Sequence, residues 1–172
     1  MQKKYVKELI LFTDGSLIRR KNKFGDEELK CGYGIYFPNK ELRNISRPFN
    51  FGRKTNQRAE LFAIYVALLQ IKANINYEHV TIYTDSEYSI KSITEWIVKW
   101  EKNNWKTSKG LAVENTDIII PINNLLKNQR DKIMFLHVKA HTGKQDPISI
   151  SNSIVDELAR DGALRQKIEK MK

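Results

Sequence analysis

Short runs of apolar residues alternate with polar stretches along the chain, and their spacing predicts the elements. Leu9-Ile10-Leu11-Phe12 heads a first strand over residues 7–13, ending at Thr13-Asp14-Gly15-Ser16. Residues 17–31 are polar and charged and predict an exposed hairpin loop. Gly32-Tyr33-Gly34-Ile35-Tyr36-Phe37 predicts a second strand, Pro38-Asn39-Lys40 a turn, and residues 41–48 a third strand. Residues 56–72 carry Leu61, Phe62, Ile64, Val66, Leu68 and Leu69 on several faces, the pattern of a largely buried helix. Residues 79–84 form a short β-branched and aromatic strand, followed by a helix over 87–96. A helix is predicted over 117–128 with Pro121 in its first turn, a strand over 133–138 and a last helix over 155–170. Strands first, then strands alternating with helices, describe an α/β mixed sheet covered by helices, in one domain over residues 1–172.

Composition narrows the class. Hydrophobic residues make up 41% of the 172 and charged residues 29%, enough for a real core and too apolar for disorder. No apolar run approaches the roughly 20 residues of a membrane span. The first apolar stretch is too short for a signal peptide and has no cleavage site after it. The single cysteine, Cys31, excludes an internal disulfide and a thiolate metal site, and fits a reducing, cytoplasmic setting. Lys and Arg number 30 against 20 acids, a net charge of +10. Such a charge suits a polyanion partner through counterion release, although a basic surface kept for solubility gives the same total.

Three acids sit where a strand ends or within a buried helix: Asp14, Asp85 in Tyr83-Thr84-Asp85-Ser86, and Glu60 in Arg58-Ala59-Glu60-Leu61. A fourth, Asp156, opens the last predicted helix. Taken singly, each is accounted for as a turn, cap or helix-start residue. Together they suggest oxygen-rich ligation of a hard cation at the strand ends of an α/β sheet. The segment Trp96-Ile97-Val98-Lys99-Trp100 to Trp105-Lys106-Thr107-Ser108 sets flat aromatic surface beside cations, as a channel for a nucleic-acid backbone requires. Trp96 and Trp100, four apart, are equally the core stripe of a helix.

These strings, in this order, resemble type 1 ribonuclease H across nearly the whole chain. The matching motifs are Thr13-Asp14-Gly15-Ser16, Thr55-Asn56-Gln57-Arg58-Ala59-Glu60-Leu61, Tyr83-Thr84-Asp85-Ser86, Val138-Lys139-Ala140-His141-Thr142-Gly143, and Asn152 with Asp156-Glu157-Leu158-Ala159-Arg160. The resemblance implies a five-stranded mixed sheet with helices on both faces. It implies an endonuclease that cuts the RNA strand of RNA–DNA hybrids with two Mg²⁺ ions (Mn²⁺ as a substitute), leaving a 5′-phosphate and a 3′-hydroxyl. Asp14, Glu60, Asp85 and Asp156 would hold the metals, with Glu60 near the ribose 2′-hydroxyl and His141 aiding proton transfer or product release. Trp96, Trp100 and Ser108 would line a channel for the DNA strand. Arg53, Thr55 and Asn115 would grip a DNA phosphate, and Asn56 and Gln57 the minor groove. Few of these contacts read base edges, so little sequence specificity is expected.

Two stretches depart from the family: Leu17 to Gly25 lacks the usual small, glycine-rich turn, and the segment between His141 and Asp156 is longer. The chain reads as a free-standing monomer with no membrane contact and no separate hybrid-binding domain. A non-catalytic binding module on the same fold, or a superfamily nuclease acting on DNA, are the competing readings.

Overall fold

The computed structural model describes residues 2–166. Five strands form one mixed sheet in the order β3-β2-β1-β4-β5. Strands β1 (Lys4–Lys21), β2 (Glu27–Tyr36) and β3 (Ile45–Pro48) are antiparallel neighbours. Strands β4 (Ile75–Thr84) and β5 (Ile133–His137) run parallel to β1, each reached through helical crossovers. These parallel strands end at one edge of the sheet, where ligands of α/β folds bind. Helix α1 (Asn56–Asn74) packs on one face and α5 (Pro147–Leu164) on the other, giving the expected fold class. Between them lie α2 (Glu87–Lys91), a π-helical turn (Ser92–Trp96), α3 (Ile97–Lys102) and α4 (Thr116–Leu126). Leu9, Leu11, Ile35, Leu61, Ile64, Ile71, Ile82, Ile93 and Ile118 fill the core.

The structure corrects several expectations. Residues 17–31 are not a loop: β1 continues to Lys21, β2 begins at Glu27, and only residues 22–26 turn. These arms overhang the sheet, half-buried at Leu17, Ile18 and Leu29 and exposed from Arg19 to Lys21, so they lack the sustained apolar alternation that marks a half-buried strand. The third strand is shorter than 41–48, because Asn44 Oδ1 accepts from Phe37 N (3.0 Å) and shapes a turn before Ile45. Strand β4 starts at Ile75, directly after α1, rather than at residue 79. Pro121 lies inside α4 rather than in its first turn, because Asn115, at φ 62°, starts that helix earlier. The last helix begins at Pro147, not at 155: Asp146 caps it by accepting from Ser149 N (3.0 Å) and Pro147 takes the first turn. The polar Ser-rich stretch 149–153 hid these turns, and Asp156 therefore sits mid-helix. Residues 167–170 of the predicted helix lie outside the described residues.

Candidate active site

Two close backbone approaches assemble the site. A Cβ on Gly15 would overlap the backbone of Ala59 and Glu60, so α1 lies directly on β1 beside Asp14. A Cβ on Gly34 would stand 2.8 Å from Ala159 N and 2.9 Å from Val155 O of α5. Gly34 is the cross-strand partner of Asp14, so this contact sets α5, and with it Asp156, against Asp14. Sequence reasoning passed over both glycines as strand and turn residues. A glycine interrupting a strand is itself a sign of close backbone approach.

Carboxylate oxygens of Asp14, Glu60 and Asp85 lie within 4.8 Å of one another. Asp14 and Glu60 are buried, at 2% and 3% exposure, and Asp85 is half-buried. Asp156 is outside this tight triad, half-buried, and near enough that its charge acts on both aspartates. Burial, and then the charges of Asp85 and Asp156, push the Asp14 carboxyl up to about 8. Burial and the neighbouring Asp14 and Asp85 charges raise Glu60 well above the usual range. Asp85 is also raised by burial, against the opposing pull of the Asn152 amide and of His141 and His137.

The donor set tests for a metal. Asp14 Oδ2, Glu60 Oε2 and Asn152 Oδ1 are buried with no hydrogen-bond partner. Unpaired buried oxygens are costly and like-charged neighbours more so; a cation among them offsets both. The donors are all oxygen, which suits a hard divalent ion. The residues present therefore fit a metal.

Asn152 and His137 join the site beyond the four acids. The motif had named Asn152 without a role; on α5 it lies near Asp85, and its side chain pulls the Asp85 carboxyl down. His137, at the end of β5, places Nε2 3.1 Å from the Asp85 carbonyl oxygen, and no sequence signal pointed to it. His141 is exposed in the loop before α5, with its backbone at φ 51°.

A second set of predicted residues meets at the start of α1. Thr55 caps that helix, its Oγ1 accepting from Arg58 N (3.1 Å). Asn115 Oδ1 accepts from Arg58 Nη1 (3.2 Å), and its amide donates to Tyr88 Oη (2.9 Å). Arg58, buried at 7% exposure, also grips Asp117 with both guanidinium nitrogens, at 2.8 and 2.6 Å. It thus ties the helix start to Asn115, a part that sequence reasoning did not assign to it. Arg53, Asn56 and Gln57 are exposed around this junction.

The tryptophans form a chain with Tyr88. Ring centroids are 6.0 Å apart for Tyr88–Trp96, 5.8 Å for Trp96–Trp100 and 6.4 Å for Trp100–Trp105. Trp96 is 36% exposed, whereas Trp100 is partly buried against the core, so the two readings divide between them. Trp96, Lys99, Trp100, Asn103, Lys106, Thr107 and Ser108 line a groove of ≈ 490 Å³.

The RNase H family model matches residues 6–164. Ribonuclease H of Schizosaccharomyces pombe is 37% identical over 154 residues, which are 90% of this chain and 52% of that protein. Ribonuclease HI of Haemophilus influenzae is 35% identical over 165 residues, 96% of each chain. A foamy viral protease-reverse transcriptase, solved in complex with an RNA/DNA hybrid, shares the fold with a TM-score of 0.68 and 24% identity, over 90% of this chain and 20% of that one. The chain thus spans about half the length of the yeast and mammalian relatives and nearly the full length of the bacterial one. With its family model matched over almost every described residue, the chain belongs to the RNase H family.

Proposed function

We propose that this chain is an endonuclease that hydrolyses the RNA strand of RNA–DNA hybrids, leaving 5′-phosphate and 3′-hydroxyl ends. The observation that carries this reading is the triad of Asp14, Glu60 and Asp85, with unpartnered buried oxygens on Asp14 and Glu60, just past the point where the parallel pairing of β1 and β4 ends. Relatives named ribonuclease H align over most of the chain, and the foamy viral enzyme of the same fold holds an RNA/DNA hybrid.

Asp14, Glu60, Asp85 and Asp156 would hold two Mg²⁺ ions. Bound there, such ions lower the pKa of a bound water and neutralise charge on the scissile phosphate. The protein's own work is positional. Asn152 favours the charged form of Asp85, and the glycine-seated helices hold the acids in register. Glu60, buried at the start of α1, would face the ribose 2′-hydroxyl, the group that distinguishes RNA from DNA. His141, exposed on its loop, would carry protons between solvent and the site. Arg53, Thr55 and Asn115 would take a DNA phosphate, and Trp96, Trp100 and Ser108 would line the path of that strand. Asn56 and Gln57 would touch the minor groove. These contacts address backbone and sugar, so cleavage depends little on sequence.

The test offers a labelled hybrid, an RNA duplex and a DNA duplex with Mg²⁺. Cleavage of the hybrid's RNA strand alone is expected. Cutting of the DNA duplex, or an intact hybrid, overturns the reading. Among the described residues no helix is long and apolar enough to cross a membrane, and we propose that the protein acts as a monomer.

A further inference from the structure

The overhanging β1–β2 hairpin has no part in the site so far. Beyond Asp14, β1 runs seven more residues to Lys21. At about 3.3 Å per residue, these carry the tip roughly 20 Å past the acids. The turn is firmly built: Asn22 Oδ1 accepts from Phe24 N (2.8 Å) and Asp26 N (2.9 Å), and Gly25 takes φ 87°. It presents Phe24 at 78% exposure, with the Lys23 ammonium 5.0 Å from the ring centroid. A single exposed phenylalanine is ordinary on a protein surface; held beside cations on a fixed turn, it forms a surface on which a base can stack and a phosphate can bind.

Charge follows the same direction. The hairpin carries Arg19, Arg20, Lys21, Lys23 and Lys30 against Asp26, Glu27 and Glu28. Arg19 pairs with Glu27 at 2.8 Å; among the described residues Lys21 and Lys23 form no ion pair. Lys21 and Arg19 share the face of β1 that Gly15 turns toward α1. The path from the tryptophan groove is continuous. It passes from Trp96 to Tyr88, Asn115, Arg58 and Thr55, then through Lys54, whose Nζ donates to Leu29 O of the hairpin (3.3 Å). A cation beside a flat ring at the tip repeats the chemistry of the groove at the other end.

Resting on the hybrid-cleaving reading above, we propose that the hairpin tip, formed by Lys21, Lys23 and Phe24, is a further nucleic-acid contact. It grips the sugar–phosphate backbone of the hybrid beyond the stretch spanned by the acids and the tryptophan groove. A reach of roughly 20 Å corresponds to about six phosphates along one strand.

The test compares the parent with the triple variant Lys21→Gln, Lys23→Gln, Phe24→Ser. Fluorescent hybrids of about 8 and about 18 base pairs are bound in EDTA across a salt series, and cleavage is then followed with Mg²⁺. The variant binds the long hybrid about tenfold more weakly, with a log–log salt slope shallower by about two, and binds the short hybrid as the parent does. Equal affinity for the long hybrid overturns the proposal. So does an equal loss on both lengths, which reports a disturbed fold. A parent that binds but does not cut overturns the catalytic reading alone, and the binding comparison still decides the hairpin. A parent that binds neither hybrid overturns both.

Discussion

Replacing Asp14 by Asn should remove activity and stabilise the metal-free protein. Asp14 is 2% exposed among Glu60, Asp85 and Asp156, and its carboxyl is pushed up to about 8 from an ordinary 3.8. A raised folded-state value means that the folded protein holds a proton that the unfolded chain releases. The stability from this group is therefore fully present below about pH 4 and is lost as pH rises toward 8. From 3.8 to pH 7 is about three pH units, and at about 1.4 kcal/mol each the upper limit is about 4 kcal/mol. Asparagine keeps the shape without the charge, but its amide must also be satisfied, at about 1 kcal/mol. The net expectation is a gain of about 1–3 kcal/mol at pH 7, or roughly 2–12 °C in melting temperature for a chain of this size. Thermal melts followed by circular dichroism, in EDTA at pH 4.5, 7 and 8.5, read this directly. The gap should open with pH and narrow when Mg²⁺ is added, since the ion favours the charged parent. A variant no more stable than the parent at pH 8.5 in EDTA would refute the claim that repulsion and burial strain this site. Hybrid binding should persist in Asp14→Asn, because the residues proposed to contact the phosphate and the groove lie elsewhere.

Three further outcomes follow from the same geometry. Gly34→Ala places a methyl 2.8 Å from Ala159 N, so α5 must move; stability should fall by about 1–3 kcal/mol in urea melts and kcat should drop, because Asp156 travels with that helix. A Gly34→Ala protein with parental kcat would show that α5 does not set the site. Mg²⁺ must displace protons from the raised Asp14 and Glu60, so its affinity should rise with pH up to about 8; titration calorimetry in buffers of different ionisation heat reads the released protons, and a pH-independent affinity contradicts the assignment. Asn152→Ala removes the amide that holds Asp85 down, so the acidic limb of the pH–kcat profile should move to higher pH; an unmoved limb with lowered kcat would indicate a merely structural asparagine.

Much of this was legible in the chain because the motifs close apolar runs, even though β1 itself continues past Asp14 to Lys21. Asp14 and Asp85 close runs of β-forming residues, and Glu60 lies in a helix apolar on nearly every side, so their burial follows from patterning. Asp156 was legible as a member but not in its place. Residues 149–153 are polar but for Ile150, and the helix that carries them is signalled chiefly by Asp146-Pro147, a cap followed by a first-turn proline. The segment between His141 and Asp156 thus holds about two turns of α5 that its residue pattern did not announce. The hairpin was misread for the opposite reason: its outer residues, exposed from Arg19 to Lys21, keep their backbone pairing without a buried face to announce it. The tryptophan pair divides between core and rim across the π-helical turn at Ser92–Trp96, and a π turn has no signature in residue type.

The glycines give the deeper reason that four acids separated widely in sequence meet in register. Side-chain packing tolerates shifts of a few tenths of an ångström, because rotamers adjust. Backbone laid on backbone does not: α1 rests on β1 at Gly15 and α5 on β2 at Gly34, with no side chain between to yield. Glu60 follows immediately on Ala59 at the first contact, and Asp156 follows Val155 at the second, so each acid is placed by the peptide chain itself. Charged together, the carboxylates repel one another at these positions. Stability is thereby given up where an incoming cation recovers it, and the gain on binding is greatest at the pH where all the acids would be charged.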